Sequence, residues 1–150
     1  MFEQFRELLR GGARPPSGAA RYRIAIAALL VQAALMDDSF DQAERQVIER
    51  LLLERFGLSP DAARQLLDEG VDAAERSSQL FAFTRLAAEQ ADPEERVRLI
   101  EMLWGVAYAD GVLDPHEDAL VRRIAGLIYV SDRDRGAARN RVLERMGLRL

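Results

Sequence analysis

The sequence predicts an all-α protein, a compact bundle of about seven helices arranged as two pseudo-twofold-related halves. Three observations carry this. Ala, Leu, Arg and Glu dominate the composition, and all but a few windows read as helix formers. No window shows the sustained alternation of apolar and polar residues that marks a strand. Helix starts recur at Ser59-Pro60-Asp61, Asp92-Pro93-Glu94-Glu95 and Asp114-Pro115. In each, a side chain able to accept from free helix amides precedes a proline whose missing N–H costs nothing at the first helical position.

The elements follow in order. Phe2, Phe5, Leu8 and Leu9 form an apolar stripe on a short helix over Phe2–Arg10, and Gly11–Ala19, with Gly-Gly and Pro-Pro, is a flexible linker. Residues 1–19 therefore stand apart from a helical domain over 20–150. Its first helix, 20–36, contains 13 residues from Ile24 to Met36 that are apolar except for Gln32. A membrane span needs about 20, so this helix is expected in the core. Asp41 and Glu44 open a helix over 41–56 with a capping box, and Gly57 ends it. Ser59-Pro60 opens 60–69, which Gly70 stops, and a further helix runs over 72–90. Asp92-Pro93 opens 93–109. Asp114 to Glu117, a second capping-box pattern, opens 114–129 after a stop at Gly111. A last helix over 131–146 presents an Arg-rich, solvated face.

Composition excludes several chemistries. There is no Cys, all 21 basic residues are Arg, and there is one His. Thiolate metal sites, cysteine nucleophiles, Schiff-base lysines and the phosphate-loop lysine are thus absent. Glu3 and Glu7 lie near the N-terminus with no apolar run and cleavage site after them, which is not a signal peptide, and a cytoplasmic protein is expected. Both ends are basic, with five Arg against two acids in residues 1–23 and six against three in residues 131–150, so the centre is strongly acidic. No basic stripe interleaved with aromatics is present, so no nucleic-acid partner is expected.

A shift of 73 residues exposes an internal repeat. Asp37 falls on Asp110, Asp41 on Asp114 and Glu44 on Glu117. The apolar register follows, with Leu30 on Leu103, Ala34 on Ala107, Ile48 on Val121 and Leu51 on Ile124. Each copy is a buried helix, a short acidic loop and an amphipathic helix. Capping alone accounts for Asp41, Glu44, Asp114 and Glu117. Asp37 and Asp110 sit at the negative end of a helix, which capping does not explain, although Asp110-Gly111 also suits a turn. The competing reading is a site for a hard cation, because clustered carboxylates favour Ca²⁺ or Mg²⁺. The spacing is not that of an EF-hand.

Met36-Asp37-Asp38-Ser39-Phe40-Asp41 through Glu44, Arg55-Phe56-Gly57-Leu58-Ser59, Phe83-Thr84-Arg85-Leu86 and Ala109-Asp110-Gly111-Val112-Leu113-Asp114-Pro115-His116-Glu117 resemble the tellurite-resistance protein B (TerB) family, in its branch of small stand-alone bacterial proteins. The resemblance runs from about residue 20 to residue 147. It implies an all-helical fold with two similar halves, an acidic surface linked to divalent cations, a stress-related setting and an adaptor role. The acidic positions it carries over are Asp37, Asp41, Glu44, Asp110, Asp114 and Glu117. Where the family's first loop often reads Ala-Asp-Gly, this chain has Met36-Asp37-Asp38.

The remaining candidates are weaker. His116 reads as an exposed first-turn residue, and Ser39, Ser59, Ser77, Ser78 and Ser131 lack a nucleophile motif. Trp104 and Tyr108, one turn apart, read as core, as do Phe81 and Phe83, with a partner groove as the alternative. The expected function is a non-enzymatic adaptor with a protein partner, binding Ca²⁺ or Mg²⁺ through its acidic loops. The alternative is a metal-independent structural or oligomerisation module, a homodimer among its forms. Residues 2–10 add an expected weak membrane-surface contact.

Overall fold

The computed structural model describes residues 18–36, 40–77 and 80–148. The expected helix over 2–10, its linker and Asp37 lie outside these residues. Among the described residues the chain forms seven helices and no strand: α1 Gly18–Leu35, α2 Gln42–Phe56, α3 Pro60–Arg76, α4 Leu80–Gln90, α5 Pro93–Ala107, α6 Pro115–Leu127 and α7 Asp132–Arg145.

The centre of the bundle is α1, which packs on α3 most extensively and also on α4, α5, α2 and α6. This explains why it is apolar on nearly every side: a helix enclosed by neighbours has no solvent face to make polar. By length and composition it would pass for a membrane span, but half of it is buried inside the protein. Its many alanines let neighbours approach closely. The closest is α3, where a Cβ placed on Gly70 would meet Ala27 Cβ at 2.5 Å.

That approach corrects the expected break at Gly70. The helix over 60–69 does not end there, and the residues assigned to the start of a helix over 72–90 belong to α3, which continues to Arg76. Gly70 is present because any side chain would strike α1, not because the chain turns. The helix ends instead at Ser77, in extended backbone.

The other expected stops hold. Gly57 adopts φ 64° and Gly111 φ 86°, the left-handed region that glycine reaches without strain. Capping boxes close at Asp41–Glu44 and Asp92–Glu95, with both reciprocal hydrogen bonds in each. Asp114 behaves differently from the expected box: its carboxylate accepts from the His116 amide, at 2.7 Å, rather than from Glu117. The end of α4 is capped from the next helix, where the Arg96 guanidinium donates to the carbonyls of Ala91 (3.0 Å) and Ala88 (2.8 Å).

One helix end is strained. After α6 the Val130 amide bonds back to the Ala125 carbonyl and the Tyr129 amide to that of Gly126, a pattern that places Tyr129 at φ 64°. The same turn after α7 uses Gly147. A side chain in this conformation costs roughly 1–2 kcal/mol, and Tyr129 is 79% exposed, so little packing offsets it beyond a stack with Arg96 at 6.0 Å. Tyr129→Gly is therefore expected to raise the unfolding free energy by about 0.5–1 kcal/mol. Urea denaturation checks this, and a loss of stability would show that the Arg96 stack outweighs the strain.

Candidate acidic-loop site

The burial pattern follows the 73-residue repeat. Leu30 and Leu103, Ala34 and Ala107, and Ile48 and Val121 are all buried. The same register holds for the glutamates, with Glu44 7% and Glu117 3% exposed. Each lies on the first turn of the second helix of its unit, α2 or α6, facing inward because the apolar residues one turn on, Ile48 and Val121, face the core.

The aspartates divide by task. Asp41 Oδ1 accepts from the Glu44 amide (2.9 Å), and Glu44 Oε1 accepts from the Asp41 amide (3.2 Å). Asp114 holds the start of α6 through the His116 amide. Asp110 Oδ1 accepts from the Val112 amide at 3.0 Å, which fixes the turn through Gly111. These acids thus serve the helix junctions, as the capping reading expects. His116 is exposed on the first turn of α6.

Burial of the glutamates goes further than capping requires. The box at Asp92–Glu95 provides an internal comparison, since its hydrogen bonds are equivalent (3.0 and 2.8 Å). There the glutamate side chain is 32% exposed and pairs with Arg55 at 2.6 Å. A capping glutamate needs only its backbone partner; Glu44 and Glu117 are enclosed because their helix turn faces the core with Ile48 and Val121. A buried carboxylate must be compensated by donors or by positive charge.

Met36, which immediately precedes Asp37, lines a shallow pocket of about 510 Å³ together with Pro115, His116 and Arg123 of α6. The end of α1 therefore lies beside the first turn of α6. No sequence signal announces this neighbourhood, because almost 80 residues separate Met36 from Pro115 and Met36 reads only as the end of a core helix. Among the described residues, no group of three or more His, Asp or Glu side chains is close enough together to hold a metal ion. Asp37, first in the acidic pattern, lies outside them.

Trp104 and Tyr108 belong to the core, as expected. Trp104 Nε1 donates to the Arg135 carbonyl at 3.0 Å, and Arg139 Nε donates to the Tyr108 hydroxyl at 2.7 Å. Of the two phenylalanines expected in the core, Phe83 is buried and Phe81 is exposed. The last helix has the expected ion pairs, including Arg141 and Arg145 with Glu101. Tyr22 is a perturbed titratable group: burial, then the nearby Glu95, raises its phenol above the usual range. It sits against the Phe56 ring at the packing of α1 on α2.

The model for a family described as "Tellurite resistance protein TerB" matches residues 23–140. The crystal structure of a protein of unknown function from Porphyromonas gingivalis W83 is similar, with 24% identity and a TM-score of 0.61 over 87% of this chain and 92% of that one. At that identity the likeness speaks for the fold alone. No curated protein matches the sequence significantly. The family match spans both helix–acidic loop–helix units, and the chain belongs to the tellurite resistance protein TerB family.

Proposed function

We propose that this chain is a non-enzymatic, cytoplasmic adaptor that takes a hard divalent cation, Ca²⁺ or Mg²⁺, through its acidic loops. The observation that carries this reading is the burial of two repeat-related glutamates, Glu44 and Glu117, where Glu95 at another helix start is only half-buried. The donor set fits hard cations, because carboxylates predominate, with one imidazole, His116, and no thiolate. Asp37, Glu44 and Glu117 are the residues that would hold it, with Asp41, Asp110 and Asp114 keeping the helix starts in place. A bound cation supplies neutralisation of carboxylates at the junctions of α1 with α2 and α5 with α6. The chain's own contribution is to hold those junctions at a fixed angle, and so to couple cation level to a protein partner.

Calorimetric and thermal titration of chelator-stripped protein with Ca²⁺ and Mg²⁺ tests this. The expected stabilisation is about 2.7 kcal/mol at a hundredfold excess over Kd. Glu44→Gln with Glu117→Gln is expected to abolish it, as is Asp37→Asn with Asp110→Asn. No heat and no thermal shift at millimolar cation would sink the proposal.

That outcome would favour the second reading, a metal-independent structural or oligomerisation module. The hydrogen bonds of Asp41, Glu44, Asp110 and Asp114 to backbone amides support it. It requires melting that is insensitive to chelator.

A further inference from the structure

Among the described residues, the central helix α1 is enclosed at one end and open at the other. From Ala25 to Ala34 every residue except Gln32 is buried, whereas Gly18 to Ile24 are exposed or half-buried. Beside the open end, α1, α3 and the turn before α3 enclose a groove of about 450 Å³. Its floor is Ile24, Leu58 and Leu66, and its charged residues are Arg23 on the α1 side and Glu69 on the α3 side. Ile24 and Leu58 are half-buried and pack against the core, so a further helix laid here would add apolar burial.

The chain holds a matching piece directly upstream. Phe2, Phe5 and Leu9 recur at i, i+3 and i+7, the anchor spacing of a helix seated in a groove, with Leu8 at their side. Phe2 to Leu9 and the α3 wall from Ala62 to Glu69 each rise about 10 Å, or two helical turns. Seven residues, 11–17, connect Arg10 to the first residue of α1, within the roughly 2–8 that join neighbouring helices in bundles. Gly11-Gly12 and Pro15-Pro16 in that connection break a helix and suit a reversal of direction. The α1 wall begins at Ala19, where the connection ends. A tether this short presents the stripe at an effective concentration of about millimolar, which a free partner would have to exceed. Charge is balanced on both sides, with Arg23 and Glu69 in the groove, and Glu3 and Glu7 with Arg6 and Arg10 in the segment. Neither surface repels the other, so apolar burial and the tether decide the occupant.

We propose that residues 2–10 return across the start of α1 as a helix and seat Phe2, Phe5 and Leu9 in the α1–α3 groove of the same chain. The segment then completes the cover of α1, and the stripe expected to touch a membrane surface is held inside the protein instead. The inference rests on neither the cation nor the partner of the function proposed above.

Paramagnetic broadening in the full-length chain tests it. The chain has no cysteine, so a nitroxide on Gln4→Cys, beside the stripe, reports position alone. It is expected to broaden the amide resonances of Ile24, Ala62 and Gln65 and to leave sharp those of α7, which packs on α5 and α6. Phe5→Glu with Leu9→Glu is expected to abolish the broadening, and Phe5→Leu with Leu9→Met to retain it. Ala62→Arg, which fills the groove from α3, is expected to abolish it at Ile24 and Gln65, with circular dichroism confirming the fold of each variant. Broadening confined to another face, or none at all, would overturn the proposal. Broadening of an isotope-labelled chain by a nitroxide on a second, unlabelled chain would assign the groove to the segment of another copy and overturn it too. No broadening, with sedimentation on phosphatidylglycerol vesicles that Phe5→Glu with Leu9→Glu abolishes, would assign the stripe to an anionic membrane surface and equally overturn it.

Discussion

Trp104→Ala is expected to lower the unfolding free energy by about 3–5 kcal/mol. With typical domain stabilities of about 5–15 kcal/mol, this is enough to endanger folding at physiological temperature. Trp104 is 1% exposed and touches Tyr108 with ring centroids 6.1 Å apart. Its indole N–H satisfies the Arg135 carbonyl in the first turn of α7. Truncation opens a cavity where α5 meets α7 and leaves that carbonyl without its donor. The other ties of α7 are the burial of Ala138, Val142 and Leu143, the Arg139–Tyr108 bond and the exposed pairs to Glu101. Exposed pairs contribute little, at about 0–1 kcal/mol each. Trp104→Phe, which keeps most of the apolar surface and loses the hydrogen bond, should lose less than half as much. Urea unfolding of the two variants separates the terms. A loss below about 2 kcal/mol for the alanine variant would show that α7 closes over the cavity.

Gly70→Ala is the second large effect, with an expected net loss of about 2 kcal/mol or more. The added methyl would lie 2.5 Å from Ala27 Cβ, 2.9 Å from the Ala27 carbonyl carbon and 3.1 Å from the Ala28 amide nitrogen. Two of those three atoms are backbone, so α1 and α3 must separate along their whole contact for the methyl to fit. Overpacking of this kind costs about 1–3 kcal/mol or more, against about 1 kcal/mol gained from helix propensity. Gly105→Ala serves as the control, since the same change in another helix interior meets only the Leu51 side chain at 3.7 Å, an ordinary contact, and should stabilise by up to about 1 kcal/mol. Melting the two variants side by side tests the argument, and equal responses would refute it.

These two glycines also show what sequence can and cannot convey. The starts at Ser59, Asp92 and Asp114 were readable because a cap, a proline and an amide are local chemistry. Gly57 was readable as a stop for the same reason. Gly70 was not, because its role is set by Ala27, more than forty residues away, and a packing glycine is spelled like a terminating one. Tyr129 carried no signal at all for its left-handed backbone. At the acidic loops, the repeat gave the register that buries Glu44 and Glu117, since each lies one helical turn before a core residue. It could not give the neighbourhood of Met36 and Pro115, nor reveal that Asp114 would bond His116 in place of Glu117.

The central place of α1 has a consequence for synthesis of the chain. A helix with the composition of a membrane span leaves the ribosome ahead of the helices α2 to α6 that cover it, and α5, one of these covers, ends at Ala107. At about 5–20 residues per second, roughly 4–15 s pass between the emergence of Leu35 and that of Ala107. Through that interval the nascent chain displays an apolar helix that insertion machinery or a chaperone can bind. Burial of α1 therefore waits for the later helices, and the stretch that makes the mature core is also the one exposed to mistargeting before the core exists.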